Sequence, residues 1–85
     1  MNIRTLIVNE IKEISLLCEE LRTLVKHYTL GTEDTSVINY ILDDIEDINS
    51  KLTFDNTFLC FLKNKKAELS KIQLKLINKY SLVLS

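Results

Sequence analysis

Apolar side chains recur with a helical period through the first thirty residues. The recurring positions step alternately by four and three residues: Ile7, Ile11, Ile14, Cys18, Leu21, Val25 and Tyr28. A 3.5-residue repeat places these side chains on one stripe of a helix that lies along another helix. Ile3, Leu17 and Leu24 widen that stripe, as in a bundle helix with two neighbours. The pattern predicts a first helix over residues 3–30, with Asn2 as its N-cap and Gly31 as a left-handed C-cap.

Two further helices are predicted, each after a segment that favours turns and caps, "TEDTS" (32–36) and "TFDNT" (53–57). The second helix, over residues 36–52, has the apolar stripe Ile38, Ile41, Ile45, Ile48 and Leu52, with Val37 and Leu42 alongside. The third, over residues 57–83, has the main stripe Leu62, Leu69, Ile72, Leu76, Tyr80 and Val83. Its polar middle leaves open a bend near Asn64. The expected fold class is all-α: a three-helix antiparallel bundle of long, short and long helices in one domain, residues 1–85.

The three predicted helices differ in length. At about 1.5 Å per residue, the first and third helices are each about 40 Å long and the second is about 24 Å. A short middle helix is expected to leave part of each long stripe uncovered, at about 1.5–3 kcal/mol for each large aliphatic side chain left in water. We therefore expect dimerisation or a protein partner to complete the bundle. The apolar and aromatic residues predicted to contact that partner are Ile7, Ile11, Phe58, Leu62 and Tyr80.

Charge is segregated along the chain. Residues 1–30 are balanced, residues 31–57 carry a net charge of −6, and residues 58–85 carry +5. On the third helix Lys71 and Lys75 share a face, and on the second Asp43 and Asp47 do the same, each pair four residues apart. Packing of the acidic segment against the basic helix, within one chain or between two, would pair these charges. All four residues are predicted partner contacts.

The acidic run in "ILDDIEDINSKL" (41–52) has three interpretations: a solvated helix face, an acidic docking surface, or a metal site. A helical carboxylate metal site also needs Glu-x-x-His pairs or further inward-facing acids, and no His follows any acid at i+3. The solvated face is favoured, and no metal or cofactor is expected. His27 is the only His and lies near a helix end, and one Gly cannot build a phosphate-binding loop. These features predict that the protein is not an enzyme.

Composition further limits the class of protein to which this chain can belong. With 85 residues, 46% of them hydrophobic, the chain can build one small core, and its net charge of −1 argues against a dedicated nucleic-acid binder. No apolar stretch approaches the ~18 residues of a membrane span, and the N-terminus has no secretory signal pattern, so a cytoplasmic location is expected. Cys18 and Cys60 are interpreted as small apolar residues, with a disulfide between them left open. Tyr28, Tyr40 and Tyr80 are expected at the edge of the core, where a tyrosine can anchor a partner.

The segment "CEELRTLVKHYTLGTEDTSVINYILDDIEDIN" (18–49) is similar in layout to helical-hairpin phosphatases that act on sporulation response regulators. Their Ser-Gln-x-Leu-Asp signature is replaced here by residues 41–45, "ILDDI", so no role is carried over. In size and class the chain resembles bacteriocin immunity proteins, secretion chaperones and phage-encoded inhibitors. We therefore expect a non-enzymatic protein that binds a protein partner to inhibit, neutralise or chaperone it. The alternative is regulatory nucleic-acid binding through the Lys-rich third helix, although that helix contains no Arg.

Overall fold

A computed structural model describes residues 2–82, which form three α-helices and one short 3₁₀ segment. The helices are α1 (Ile3–His27), α2 (Thr32–Glu46) and α3 (Asn56–Tyr80), and the 3₁₀ segment (Asp47–Lys51) follows α2 directly. No strand occurs between residues 2 and 82. The predicted all-helical fold is thus confirmed. α3 continues through Asn64 without interruption, so the helix has no break there.

The two long helices begin at side-chain caps. The Asn2 carboxamide oxygen accepts a hydrogen bond from the backbone N–H of Thr5 at 2.9 Å, as predicted for the start of α1. The Asp55 carboxylate accepts one from the N–H of Phe58 at 2.8 Å and starts α3. Each bond satisfies one of the backbone donors that a helix leaves unpaired in its first turn.

The predicted role of Gly31 as a left-handed C-cap is wrong. α1 ends at His27, and Tyr28 has extended backbone, because the chain must leave the helix there to reach α2. Gly31 has φ −59° and ψ 152° and is the N-cap of α2, which begins four residues earlier than predicted. Acidic residues in the first turn of α2 suit the positive end of the helix dipole.

A left-handed cap does occur, but at the end of α3. Ser81 has φ 53° and ψ 44°, and the N–H of Leu82 donates to the Ile77 carbonyl at 3.0 Å. This 6→1 bond closes the helix in the Schellman manner and places Leu82 in the core. The predicted final turn of the third helix, including Val83, lies outside the described residues.

Contacts between the long helices show that α1 and α3 run parallel. The Lys66 ammonium lies 2.7 Å from the carboxylate of Glu10 and 2.6 Å from that of Glu13. Seven residues further along each helix, Gln73 donates a hydrogen bond to Glu20. α2 returns antiparallel to both, so the bundle has an up–down–up order.

The core lies mainly between α1 and α3. Fourteen apolar residues of the described part of the chain, residues 2–82, are buried: Ile7, Ile14, Cys18, Leu21, Leu24, Ile38, Leu42, Ile48, Phe58, Leu59, Leu62, Leu69, Leu76 and Leu82. The expectation that the short second helix would leave long apolar stripes in water is largely wrong. The two long helices lie side by side along their whole length and cover each other. No helix within residues 2–82 has both the length and the apolar character needed to cross a membrane.

Candidate binding surface between helices two and three

The side of the bundle formed by α2 and α3 is its most loosely packed side. Within residues 2–82, no Cα atom of α2 lies within 8 Å of a Cα atom of α3, whereas α1 and α3 approach this closely at many positions. The α2 positions that face α3 are Asp34, Val37, Ile41 and Asp44, at steps of three, four and three. The facing part of α3 is centred on Ile72. We call this boundary the α2/α3 seam.

An ion pair closes one end of the seam. The Lys65 ammonium donates a hydrogen bond to the Asp44 carboxylate at 2.9 Å and also lies 3.7 Å from that of Glu68. The hydrogen bond from Lys65 lowers the pKa of Asp44, and the same bond raises the pKa of Lys65. A long lysine side chain therefore spans the gap that the backbones leave.

The other end of the seam is closed around Asp34. Its carboxylate accepts hydrogen bonds from the Lys79 ammonium, at 2.7 Å, and from the Tyr80 hydroxyl. The Lys79 bond, followed by the Tyr80 bond, lowers the pKa of Asp34. The Tyr80 hydroxyl in turn accepts the backbone N–H of Gly31 at 2.9 Å. The beginning of α2 is thereby held to the end of α3 by polar contacts.

Apolar surface is exposed between these two closures. Tyr40 is 74% exposed and Val37 is 44% exposed, while Ile41 and Ile72 are half-buried beside them. A tyrosine at the centre of a partly apolar area is the type of side chain that anchors protein interfaces. We call the surface around the seam the α2/α3 face. Its apolar centre is formed by Val37, Tyr40, Ile41 and Ile72.

The α2/α3 face is negative on one half and positive on the other. Asp43 lies on α2, Asp47 begins the 3₁₀ segment that follows it, and Lys71 and Lys75 lie on α3, and all four side chains are exposed. Within residues 2–82, none of the four takes part in an ion pair. The four charged residues predicted as partner contacts are therefore all accessible on the outside of the bundle. Lys71 and Lys75 are four residues apart on one α-helix and thus about 6 Å apart along it.

Of the predicted apolar and aromatic contacts, Tyr80 lies at one end of the seam. Ile7, Phe58 and Leu62 are buried inside this chain, because the long helices use them to pack against each other. Ile11 is half-buried, and Tyr80 is half-buried with its hydroxyl bonded to Asp34. The three buried side chains offer a partner no surface in the folded subunit, whereas Ile11 and Tyr80 keep part of theirs.

The loose packing between α2 and α3 could not be predicted from the sequence. Ile41 and Ile72 occupy stripe positions like those of fully buried residues, and only the helix separation leaves them partly accessible. Tyr40 was predicted at the edge of the core, and its 74% exposure shows that this prediction is wrong. The signal for its exposure was its place outside the apolar stripe of the second helix.

Among the described residues, two depressions are lined neither by Tyr40 nor by the residues of the seam. One, of about 320 Å³, lies between α1 and α2 and is lined by residues that include Cys18, Arg22 and Glu46. Burial raises the pKa of the Cys18 thiol, although nearby Arg22 acts in the opposite direction, so the thiol stays protonated. The other, of about 250 Å³, lies at the start of α3 beside Phe58 and Phe61.

Both cysteines are free, with Cys18 buried and Cys60 exposed. Within residues 2–82, no three His, Cys, Asp or Glu side chains are placed to hold a metal ion. Comparisons of this chain with protein-family models, with curated proteins and with solved structures gave no match. The geometry of the α2/α3 face is therefore the main guide to function.

Proposed function

We propose that this protein is a non-enzymatic binding protein whose α2/α3 face engages a protein partner and thereby inhibits, neutralises or chaperones it. The observation that carries the proposal is the exposure of Tyr40 and Val37 on the open side of the bundle. Exposed large apolar side chains that cluster on one charged face are typical of docking surfaces rather than of solvated helices.

The dimensions of the molecule are compatible with such a role. Its principal extents are 41 × 23 × 16 Å, so the broadest side has a projected area of about 940 Å². A standard protein interface uses about 800 Å² of each partner. A partner therefore needs most of the α2/α3 side, and Tyr40 lies close to its centre, where binding energy concentrates.

The charges of α3 favour a protein partner over nucleic acid. Lys65, Lys66 and Lys79 are engaged in ion pairs with acidic residues of the same chain. The basic residues that remain on the α3 half of the face, Lys71 and Lys75, lie next to the acidic α2 half. A phosphate backbone that approached the lysines would meet these carboxylates as well, and the resulting repulsion would weaken binding.

The Cys18 thiol and the hydrogen bond between Tyr80 and Asp34 support a role without covalent chemistry. The buried Cys18 thiol, with its raised pKa, is a poor nucleophile. The Tyr80 hydroxyl and the Asp34 carboxylate are already bonded to each other, and their position ties α2 to α3. These polar groups act as structural links between helices.

Site-specific photo-crosslinking tests the proposal. A benzophenone amino acid placed at position 40 should capture a specific protein in native host cells. The same probe at Leu16, which is 62% exposed on α1, is the matched control. Replacement of Asp43 and Asp47 by Lys should reduce capture at position 40, because it reverses the charge beside the anchor. Equal capture from positions 40 and 16, or none from position 40, would contradict the assignment of this face.

A further inference from the structure

We propose that the depression at the start of α3 binds a small aromatic carboxylate, a molecule that joins one ring to one acidic group. The depression has a volume of about 250 Å³ and lies beside Phe58 and Phe61. Neither Tyr40 nor the seam contributes to it, so the inference goes beyond the proposed function and does not rest on it. The path of the chain, the aromatic floor and the polar edge of the depression each restrict the ligand.

The depression forms where the chain passes from the 3₁₀ segment to α3. The 3₁₀ segment ends at Lys51, the backbone of Leu52 is extended, and α3 begins at Asn56. Lys51, Thr53 and Asp55 line the depression from this connection, and the first two turns of α3 supply the remaining lining residues. Because the connection is not helical, it does not pack on α3 as a fourth helix would, and a space remains between them.

The floor of the depression is aromatic. Phe58 and Phe61 are three residues apart on α3, and their ring centroids are 5.9 Å apart with an angle of 27° between the ring planes. Phe58 is only 6% exposed, so the core holds its ring in place, whereas Phe61 is half-buried. Aromatic rings pair favourably when they are offset or meet edge to face. A ligand ring can therefore join this pair at Phe61.

The edge of the depression carries hydrogen-bond donors that nothing else in the described chain uses. Lys51, Thr53 and Thr57 line it, and within residues 2–82 their side chains form no hydrogen bond or ion pair. One ammonium and two hydroxyl groups match a carboxylate, which accepts several hydrogen bonds through its two oxygens. An apolar site with a few polar groups at its edge is the usual form of a small-molecule site. Together these groups favour an anionic group beside the ring.

Asp55 is the one acidic residue among those that line the depression. Its carboxylate accepts the hydrogen bond from the backbone N–H of Phe58 at 2.8 Å, at the positive end of the α3 dipole, which offsets its charge. The remaining repulsion directs an anion away from Asp55. The carboxylate of the ligand should therefore lie beside Lys51, with its ring against Phe61.

The size of the depression limits both the ligand and its affinity. Sites for drug-sized molecules measure about 300–1,000 Å³. A space of about 250 Å³ therefore suits a single ring with a short acidic side chain, and it is too small for a long-chain fatty acid or a nucleotide. Because the depression is open to solvent, it covers such a ligand only in part. We expect a dissociation constant on the order of 1 mM.

Titration of the purified protein with phenylacetate, followed through its backbone amide NMR signals, tests the site. With up to about 20 mM ligand, saturable shifts should be confined to the signals of residues 51–61. Phenylacetamide has the same ring without the charge and should bind about fivefold more weakly or worse. Lys51→Gln should remove this preference for the acid. Lys63→Gln makes the same change in net charge at an exposed lysine of α3 outside the depression and should keep it.

A second pair of variants tests the aromatic floor. Phe61→Leu should weaken phenylacetate binding about threefold or more, because it removes the ring that the ligand contacts. Phe54→Leu is the control, since the Phe54 ring lies against Arg4 and does not line the depression. Circular dichroism of each variant confirms its helix content, and the exposed Lys51 can be replaced without loss of a core residue.

Four outcomes would overturn the inference. They are shifts that do not saturate or that scatter over the bundle, equal binding of acid and amide, a preference for the acid that survives Lys51→Gln, and equal losses in Phe61→Leu and Phe54→Leu. A peptide that ends in Phe with a free carboxylate separates two sources of the same chemistry. If it binds more than about tenfold more tightly than phenylacetate, the occupant is the C-terminus of another protein, and the assignment to a small acid is wrong.

Discussion

Replacement of Leu62 by Ala tests whether this residue belongs to the core of the subunit or contacts a partner protein. Leu62 is fully buried in α3, although its place on the helical stripe alone is equally compatible with a contact to another protein. Leu74→Ala on the same helix is the matched control, since it deletes the same atoms from a side chain that is 60% exposed. Both substitutions keep a strong helix former in the helix.

The two substitutions are expected to lower the free energy of unfolding by amounts that differ several-fold. Truncation of a fully buried leucine removes its transfer free energy and leaves a cavity, which together cost about 3–4 kcal/mol. For Leu74, less than half of the side chain is buried, so the loss should stay below about 1 kcal/mol. A domain of this size has a total free energy of unfolding of about 4–13 kcal/mol. Leu62→Ala therefore removes a large fraction of it and should lower Tm by about 12–25 °C.

Urea unfolding followed by circular dichroism gives both free energies. The measurement uses dilute protein, because dimerisation would otherwise add to the apparent stability of each variant. If Leu62→Ala and Leu74→Ala cost the same, the core described here is wrong and the Leu62 side chain is exposed in the isolated subunit.

Three further outcomes are expected. Ser81→Gly should raise the free energy of unfolding by about 0.5–1 kcal/mol, because glycine adopts the left-handed cap without strain; unchanged or lower stability in urea would contradict this cap. The pKa values of Asp34 and Asp44 are lowered in the folded state, so their stabilisation is present above the ordinary value of 3.8 and is lost as pH falls from that value through the lower folded-state pKa. Unfolding followed from pH 7 to 2 should therefore show a decline that Asp34→Asn with Asp44→Asn makes shallower, and an equal slope would refute the seam closures. A thiol reagent should modify Cys60 rapidly and Cys18 only as the protein unfolds, whereas two fast reactions would show that Cys18 is not buried.

The helices were predictable because their signals are local. Apolar side chains at steps of three and four define a helical stripe wherever it packs, and Asn2 caps the next turn through a bond three residues away. The misplaced end of the first helix shows the limit of such reasoning. Gly31 is the residue that best tolerates a left-handed cap, yet the chain had to turn earlier to reach α2, and Ser81 adopted that conformation instead.

The candidate surface was predictable only in part. The segregation of acidic and basic segments is visible along the chain, and it correctly indicated that α2 and α3 carry opposite charges and pair with each other. Periodicity, however, places Ile7, Leu62 and Ile72 alike on the apolar stripe of a helix. It indicates which side of a helix is apolar, but it does not indicate how closely the neighbouring helix approaches. Their different exposure depends on distances between helices.

The amino-acid sequence by itself determined three helices, their apolar stripes and the separation of charge, since each follows from neighbours within a few residues. Only the tertiary structure decided that the two long helices cover each other and that the loosely packed side lies between α2 and α3. The physical reason is that burial depends on backbone separation, which is set by the packing of residues 21 to 53 positions apart. That separation leaves Val37 and Tyr40 exposed to solvent between two ion-paired ends.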